Sequence, residues 1–215
     1  SGPAQERDVT ESLRLQGGGS LRGEITIPGD KSISHRALIF NAMASGTAAV
    51  NGLLESEDVH ATARCLRQLG VRIESGTVVG TGGQFSRPST PLDCGNSGTT
   101  MRLLAGLLAG QTFSSTLTGD ASLCGRPMGR IAEPLQRMGV HFEGDCKQAP
   151  LAITGPCERN IQYRSRIASA QVKTALMLAG LQTPGTLTFR EPSQSRDHSE
   201  RMLRSMGLDF IDRHE

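Results

Sequence analysis

The chain has 215 residues, enough for one large or two small domains around a real core. Its 26 glycines stand against six Phe, one Tyr and no Trp, which argues against base stacking on nucleic acid, and a net charge of +2 offers no field for a polyanion. Five cysteines without a Cys-x-x-Cys spacing argue against a disulfide framework or a metal site and for reduced thiols in a cytoplasmic compartment, while no uninterrupted apolar stretch is long enough to span a bilayer.

Residues 1–20 are polar, with the run Gly17-Gly18-Gly19-Ser20, and read as a flexible lead-in. Gly23-Glu24-Ile25-Thr26-Ile27-Pro28 alternates and stops at proline, as a strand does. After the turn Gly29-Asp30, residues 31–44 carry Ala37, Leu38, Phe40, Ala42 and Met43 at helical spacing. A short strand is expected over residues 48–53. Ser56-Glu57-Asp58 then caps a helix with Val59, Ala63, Leu66 and Leu69 among its apolar positions, and its acidic first turn suits the positive helix end. Residues 71–74 and 76–79 read as strands. Next, residues 92–94 lead into a helix from Asn96, and residues 113–119 form a strand. Arg126-Pro127-Met128 opens a helix with proline at its tolerated first position, and residues 140–143 and 151–153 are strands. In the last third, residues 161–164 lead into a helix from Ser169, residues 186–189 form a strand, Asp197-His198-Ser199-Glu200 starts a helix, and residues 208–211 are a strand.

This order is one pattern given three times. The closing pairs Leu69-Gly70, Met138-Gly139 and Met206-Gly207 place their glycines 69 and 68 residues apart, so three repeats are expected over about residues 21–84, 85–155 and 156–215. The first helix of every repeat is apolar nearly all round, as in Leu103-Leu104-Ala105-Gly106-Leu107-Leu108-Ala109, and such a helix is buried. The strands alternate, so each sheet has one wet face. Helices inside and sheets outside satisfy both: an inside-out α/β lobe of three βαβαββ-type repeats whose buried parallel helices aim their positive ends at one face.

Those helix starts are small, polar or basic: Lys31, Ser32 and Arg36; Asn96, Ser97, Gly98 and Thr99; Ser169, Ala170 and Gln171. Unpaired N–H groups and the helix dipole favour anions there, lysine adds a point charge, and arginine adds a planar fork for phosphate or carboxylate. Gly98 lets a ligand approach the backbone closely. Arg126 and Arg196, at or just before the second helices, bring further cations to the same face, so a small, multiply anionic ligand is expected. Taken singly, each helix start reads equally as an ordinary cap.

Pro28-Gly29-Asp30-Lys31-Ser32-Ile33-Ser34-His35-Arg36, Gly95-Asn96-Ser97-Gly98-Thr99-Thr100-Met101-Arg102, the stretch from Gly119 to Met128, Ala168-Ser169-Ala170-Gln171-Val172-Lys173 and Ser195-Arg196-Asp197-His198 together resemble the enolpyruvylshikimate-phosphate synthases, from about residue 21 onward. The resemblance implies transfer of the enolpyruvyl group of phosphoenolpyruvate to the 5-hydroxyl of shikimate 3-phosphate in aromatic amino acid biosynthesis, with no metal and no organic cofactor. It implies that Lys31 touches both substrates as the catalytic residue. Ser32, Arg36, Ser169, Ala170, Gln171 and Arg196 would hold shikimate 3-phosphate, and Gly98, Arg126, Asn96 and Thr99 would shape the phosphoenolpyruvate pocket, where glyphosate is the expected competitor. Residues 1–20 become a flexible or lobe-crossing segment.

The family pairs two such lobes and this chain supplies the amino-terminal one, so the complementary carboxy-terminal lobe is the expected partner, with no nucleic acid and no membrane. The second lobe normally brings the aspartate at the target hydroxyl and further lysine, glutamate and arginine residues. Leu103 stands where many members carry proline, and Ala170 where many carry a second serine. The sister enzyme acting on UDP-N-acetylglucosamine has a cysteine five residues before the arginine of its Arg-Pro loop, where this chain has Ala121. A non-catalytic anion-binding lobe is the alternative from another class. A reading as an RNA-processing enzyme of similar repeats lacks support, since this sequence has no basic run, no aromatic platform and no obvious histidine nucleophile. Of the histidines, His35 is expected to have a structural hydrogen-bonding role, and His60, His141, His198 and His214 to be superficial.

Overall fold

A computed structural model describes residues 14, 16–20, 22–158 and 161–211. Most of the expected lead-in, and His214, lie outside these residues. In chain order the elements are α1 (Lys31–Met43), β1 (Ser45–Ala49), α2 (Glu57–Gln68), β2 (Arg72–Glu74), β3 (Thr77–Thr81), β4 (Leu92–Asp93), α3 (Gly98–Leu108), β5 (Ser114–Thr118), α4 (Ala121–Cys124), α5 (Gly129–Arg137), β6 (His141–Phe142), β7 (Leu151–Thr154), β8 (Ile161–Arg164), α6 (Ala170–Gly180), β9 (Leu187–Arg190) and α7 (His198–Ser205).

The strands form three sheets, ordered β1-β3-β2, β4-β5-β7-β6 and β8-β9. β4 pairs parallel with β5, and β8 with β9, as crossovers through α3 and α6 require. β1–β3, β2–β3, β5–β7 and β6–β7 are antiparallel. Burial alternates along β5 and β7, so one face of that sheet packs inward. Against the sheets lies a layer of helices. In α3, residues 103–108 are all buried, and Leu103, Leu104 and Leu107 have no exposed surface. Leu103 packs as an ordinary buried residue inside α3, where a proline would have removed an N–H. Each such leucine contributes on the order of 2 kcal/mol by burial.

Two expected strands are absent. Residues 23–28 form no strand, and Ile25 and Ile27 are 79% and 72% exposed. Residues 208–211 form none either, with Ile211 82% exposed. Alternation supplies a face to bury, but a strand also needs a neighbour for its N–H and C=O groups, and no described strand pairs with either segment. The first strand sits earlier than expected, at 45–49 rather than 48–53, registered on β3 from Ser45↔Thr81 to Ala49↔Thr77. Arg126 and Pro127 lie in a loop, not in a helix: a short α4 capped by Asp120 comes first, and α5 begins only at Gly129. His198 is half-buried, with its Nδ1 enclosed, whereas His60 and His141 are exposed. Cys65, Cys94, Cys146 and Cys157 are buried and Cys124 is half-buried, all as free thiols.

The inner helices approach most closely where α3 crosses α6. A Cβ built on Gly106 would stand 2.1 Å from the Ala175 carbonyl oxygen and 2.6 Å from its Cα. Backbone cannot yield as a side-chain tip can, so Gly106→Ala is expected to destabilise the chain by about 3 kcal/mol. Gly129→Ala, which meets nothing within 4 Å, is the control. Urea midpoints measure both, and equal midpoints for the two variants would show that the crossing is not tight.

Candidate functional site

Each inner helix is capped by a side chain from the residue before it. Asp30 accepts from Ile33 N at 2.8 Å, Ser97 from Thr100 N at 3.1 Å, and Ser169 from Val172 N at 3.4 Å. Each cap satisfies one first-turn N–H and leaves the first two, at Lys31 and Ser32, Gly98 and Thr99, and Ala170 and Gln171, without an intrahelical acceptor. None of the three helices has an acidic residue in its first turn. Outer helix α2, by contrast, carries Glu57 and Asp58 there. The positive ends of α1, α3 and α6 therefore remain available to an outside anion.

The tips are joined side chain to side chain. Gln171 Nε2 donates to Thr99 Oγ1 at 3.0 Å, and its Oε1 accepts from Arg102 Nη1 at 3.0 Å, linking α6 to α3. Arg36, 2% exposed, links α1 to α6 and α7. Its Nη2 donates to Thr174 Oγ1 at 2.8 Å and the Ala170 carbonyl at 3.4 Å, its Nη1 to the Ser32 carbonyl at 2.9 Å, and its Nε to Ser199 Oγ at 2.7 Å. Burial pushes the Arg36 guanidinium below its ordinary value, against the opposing pull of Glu200 and Asp30. Four of its five N–H donors are thus engaged within the chain. Lys31 reaches across to Asp58 at 3.0 Å and stays half-exposed.

Gly98 sits under two guanidinium groups: a Cβ there would be 2.8 Å from Arg102 Nη1 and 3.4 Å from Arg126 Nη1. Arg126 donates to Asn96 Oδ1, and Asn96 Nδ2 donates to Asp120 at 2.7 Å. That hydrogen bond from Asn96, with Leu123 N, holds the Asp120 carboxyl below its usual range. Burial, with Arg126 and Arg130 beside it, lowers Arg102. Arg102, Arg126 and Arg130 therefore form a cluster of mutually repelling cations, and Arg102 makes no ion pair among the described residues. Sequence reasoning placed Arg102 in a motif but not in the site. The available signal was its position one turn after Gly98, on the same helix face. Arg196 is exposed and makes no direct bond to the other tips, but its charge acts on Arg36.

Elsewhere, a cavity of about 370 Å³ lies between α2 and the β2–β3 hairpin, floored by Leu38, Val59 and Val78. Its arginines are already spent, Arg67 on the Ile73 carbonyl and Arg64 on Glu57, so it lacks the unpaired cations of the helix-tip face. Among the described residues no cluster of His, Cys, Asp and Glu could hold a metal, and no helix is long and apolar enough to cross a membrane.

Beneath the tips, His35 has no exposed surface, and its Nδ1 pairs with Thr62 Oγ1 at 2.7 Å. Thr62 pairs with Thr100 at 2.7 Å, and Thr100 reaches the Asp58 carbonyl at 3.2 Å, tying α1, α2 and α3 together. Burial pushes His35 down to about 4, helped by Lys31 and Arg36 and opposed by Asp58. Its folded pKa lies below the unfolded value, so the stability tied to neutral His35 is intact above pH ~6.5 and is lost as pH falls through 6.5 toward 4. About 2.5 kcal/mol should disappear between pH ~7 and ~4.5 in wild type and not in His35→Asn, read by urea unfolding. Equal losses in the two proteins would mean that His35 does not titrate in this way.

The EPSP synthase (3-phosphoshikimate 1-carboxyvinyltransferase) family profile matches residues 15–214. A 3-phosphoshikimate 1-carboxyvinyltransferase of Synechococcus sp. (strain RCC307) is 52% identical over 211 residues, covering 93% of this chain and 48% of the relative. One from Citrifermentans bemidjiense is 53% identical over 195 residues, covering 87% and 46%. A solved EPSP synthase from Acinetobacter baumannii superposes with a TM-score of 0.85 at 48% identity, covering 89% of this chain and 45% of that one. The chain spans about half the length of the curated relatives it matches.

Proposed function

We propose that this chain, which belongs to the EPSP synthase family, forms the amino-terminal lobe of a 3-phosphoshikimate 1-carboxyvinyltransferase, a single three-repeat lobe whose helix tips are half of the active site. The observation that carries this reading is the join between the tips, Arg102–Gln171–Thr99 and Arg36–Ala170, which gathers unpaired N–H groups and cations from three distant segments onto one open face.

On this reading Lys31, Ser32, Arg36, Ser169, Ala170, Gln171 and Arg196 hold shikimate 3-phosphate, and Gly98, Arg126, Asn96 and Thr99 hold phosphoenolpyruvate, with Arg102 added beside them. The phosphoenolpyruvate methylene carbon takes a proton, which builds oxocarbenium character at C2. The 5-hydroxyl oxygen then bonds to C2 and gives up its proton, and departure of phosphate with a proton from the methyl group restores the enol ether. Fixed cations hold the carboxylate and phosphate in line for this exchange and need no reorganisation while charge develops. Lys31, half-exposed beside Asp58, is the catalytic residue of this lobe: its ammonium either assists the proton transfer or neutralises the negative charge of the substrates. The aspartate for the 5-hydroxyl, and the remaining lysine, glutamate and arginine groups, are assigned to the carboxy-terminal lobe. The reduced thiols fit a cytoplasmic setting. The position five before Arg126 is Ala121, and Cys124 donates to the Gly119 carbonyl at 3.3 Å, which disfavours the UDP-N-acetylglucosamine reaction.

Three measurements check the reading. Phosphate release from both substrates should be negligible with this chain alone and should appear on adding the carboxy-terminal half of the Synechococcus relative; rapid turnover by the chain alone, or none with the added half, would overturn it, the latter in favour of a non-catalytic anion-binding lobe. Lys31→Ala should weaken shikimate 3-phosphate binding at least ~100-fold in calorimetry while leaving the unfolding midpoint in place, since one exposed ion pair is worth under about 1 kcal/mol. In the complemented enzyme Gly98→Ala should weaken glyphosate ~10-fold or more, because its methyl group crowds Arg102 and Arg126; unchanged inhibition would remove Gly98 from that pocket.

A further inference from the structure

Lys173 lies one turn into α6, 7% exposed, where a lone ammonium would be costly. Its Nζ bonds Glu191 Oε1 at 3.0 Å and pairs with Glu200 Oε1. The same Glu191 oxygen accepts from Ser195 N at 2.9 Å and Ser195 Oγ at 3.0 Å, folding residues 191–195 into a loop around one half-buried carboxylate. Arg196 is the next residue. Glu200 follows Ser199, whose Oγ accepts from Arg36 Nε and bonds Thr174 Oγ1 at 2.6 Å. Burial opposes the charge on Lys173, but its hydrogen bonds to Glu200 and Glu191 outweigh it and raise its pKa. Glu191, also against burial, is lowered by Ser195 and Lys173, so the Lys173–Glu191 pair is ionised.

One lysine between two carboxylates carries a surplus negative charge, and Arg36 lies within its field. A hydrophobic residue would fill the same space at no desolvation cost, so stability alone does not account for the cluster. It ties the Arg196 loop, which follows β9, to α6 and fixes how α7 meets Arg36. Given the shikimate 3-phosphate reading above, on which this inference rests, we infer that Lys173, bridging Glu191 and Glu200, is a positioning residue that holds the Ser195–Arg196 loop against α6 so that Arg196 meets the ligand's phosphate.

The test is a double-mutant cycle on this chain, with shikimate 3-phosphate affinity from calorimetry and the Arg196 Nε–Hε resonance followed by NMR. Arg196→Ala and Lys173→Met should each weaken binding ~10-fold, and the double variant should be no more than ~2-fold weaker than either, because both changes remove the same phosphate contact. The ligand should shift the Arg196 resonance in wild type and leave it still in Lys173→Met. If Lys173→Met does not fold, Glu191→Gln takes its place, since it loosens the Ser195 tether and leaves a balanced Lys173–Glu200 pair. Wild-type affinity in the Lys173 or Glu191 variant, or losses that multiply to ~100-fold in the double, would overturn the positioning role while leaving the shikimate 3-phosphate site standing. A wild-type chain that does not bind the ligand would overturn both.

Discussion

The constraint from which the rest follows is the close approach of apolar helices in the interior. Where Gly106 of α3 meets the backbone of Ala175 on α6, no side chain separates the two, so the helices sit closer than larger residues would allow. That contact brings Gln171 within hydrogen-bonding reach of Thr99 and Arg102, residues 72 and 69 positions away in the chain. Burying the helices also requires that their ends be satisfied, and the caps at Asp30, Ser97 and Ser169 do so only in part. The unsatisfied remainder is what an anion can use.

Charge is arranged in two depths. At the surface, Lys31, Arg102, Arg126 and Arg196 are accessible or half-accessible and have few anionic partners. Beneath them, Arg36 is sutured to Ser199, Thr174 and two carbonyls, and Lys173 is neutralised by Glu191 and Glu200. Like charges repel: burial first, and then the neighbouring Arg126 and Arg130, push Arg102 below its ordinary value. A multiply anionic ligand relieves it, so the face gains more from binding than an isolated helix end would. Arg36 belongs to both depths: the residue assigned to the ligand also holds α1, α6 and α7 in register.

Much of this was legible in the chain before its coordinates. The three inner helices begin within two residues of their expected starts, because polar caps followed by apolar runs constrain both the end and the burial of a helix. The segments at 23–28 and 208–211 misled for a physical reason: alternating residues advertise a strand, but only a neighbour completes one. Arg126 read as a helix start because Pro127 suits such a position, yet Asp120 caps a separate turn first and leaves the arginine in a loop against Asn96. Arg102, Asp58 and Lys173 read only as motif or cap residues, because their significance is their partners, which lie at a distance in the chain and leave no local pattern. The family motifs located the face, while the hydrogen bonds that hold it together became visible only in the fold.

The convergence of the three tips is tested most directly by backbone amide NMR during titration of the chain with shikimate 3-phosphate. The expected result is one saturable transition in which the amides of Lys31 and Ser32, Gly98 and Thr99, and Ala170 and Gln171 shift together with a common affinity. Shifts confined to a single helix end, or centred on the cavity beside α2, would contradict a shared anion face.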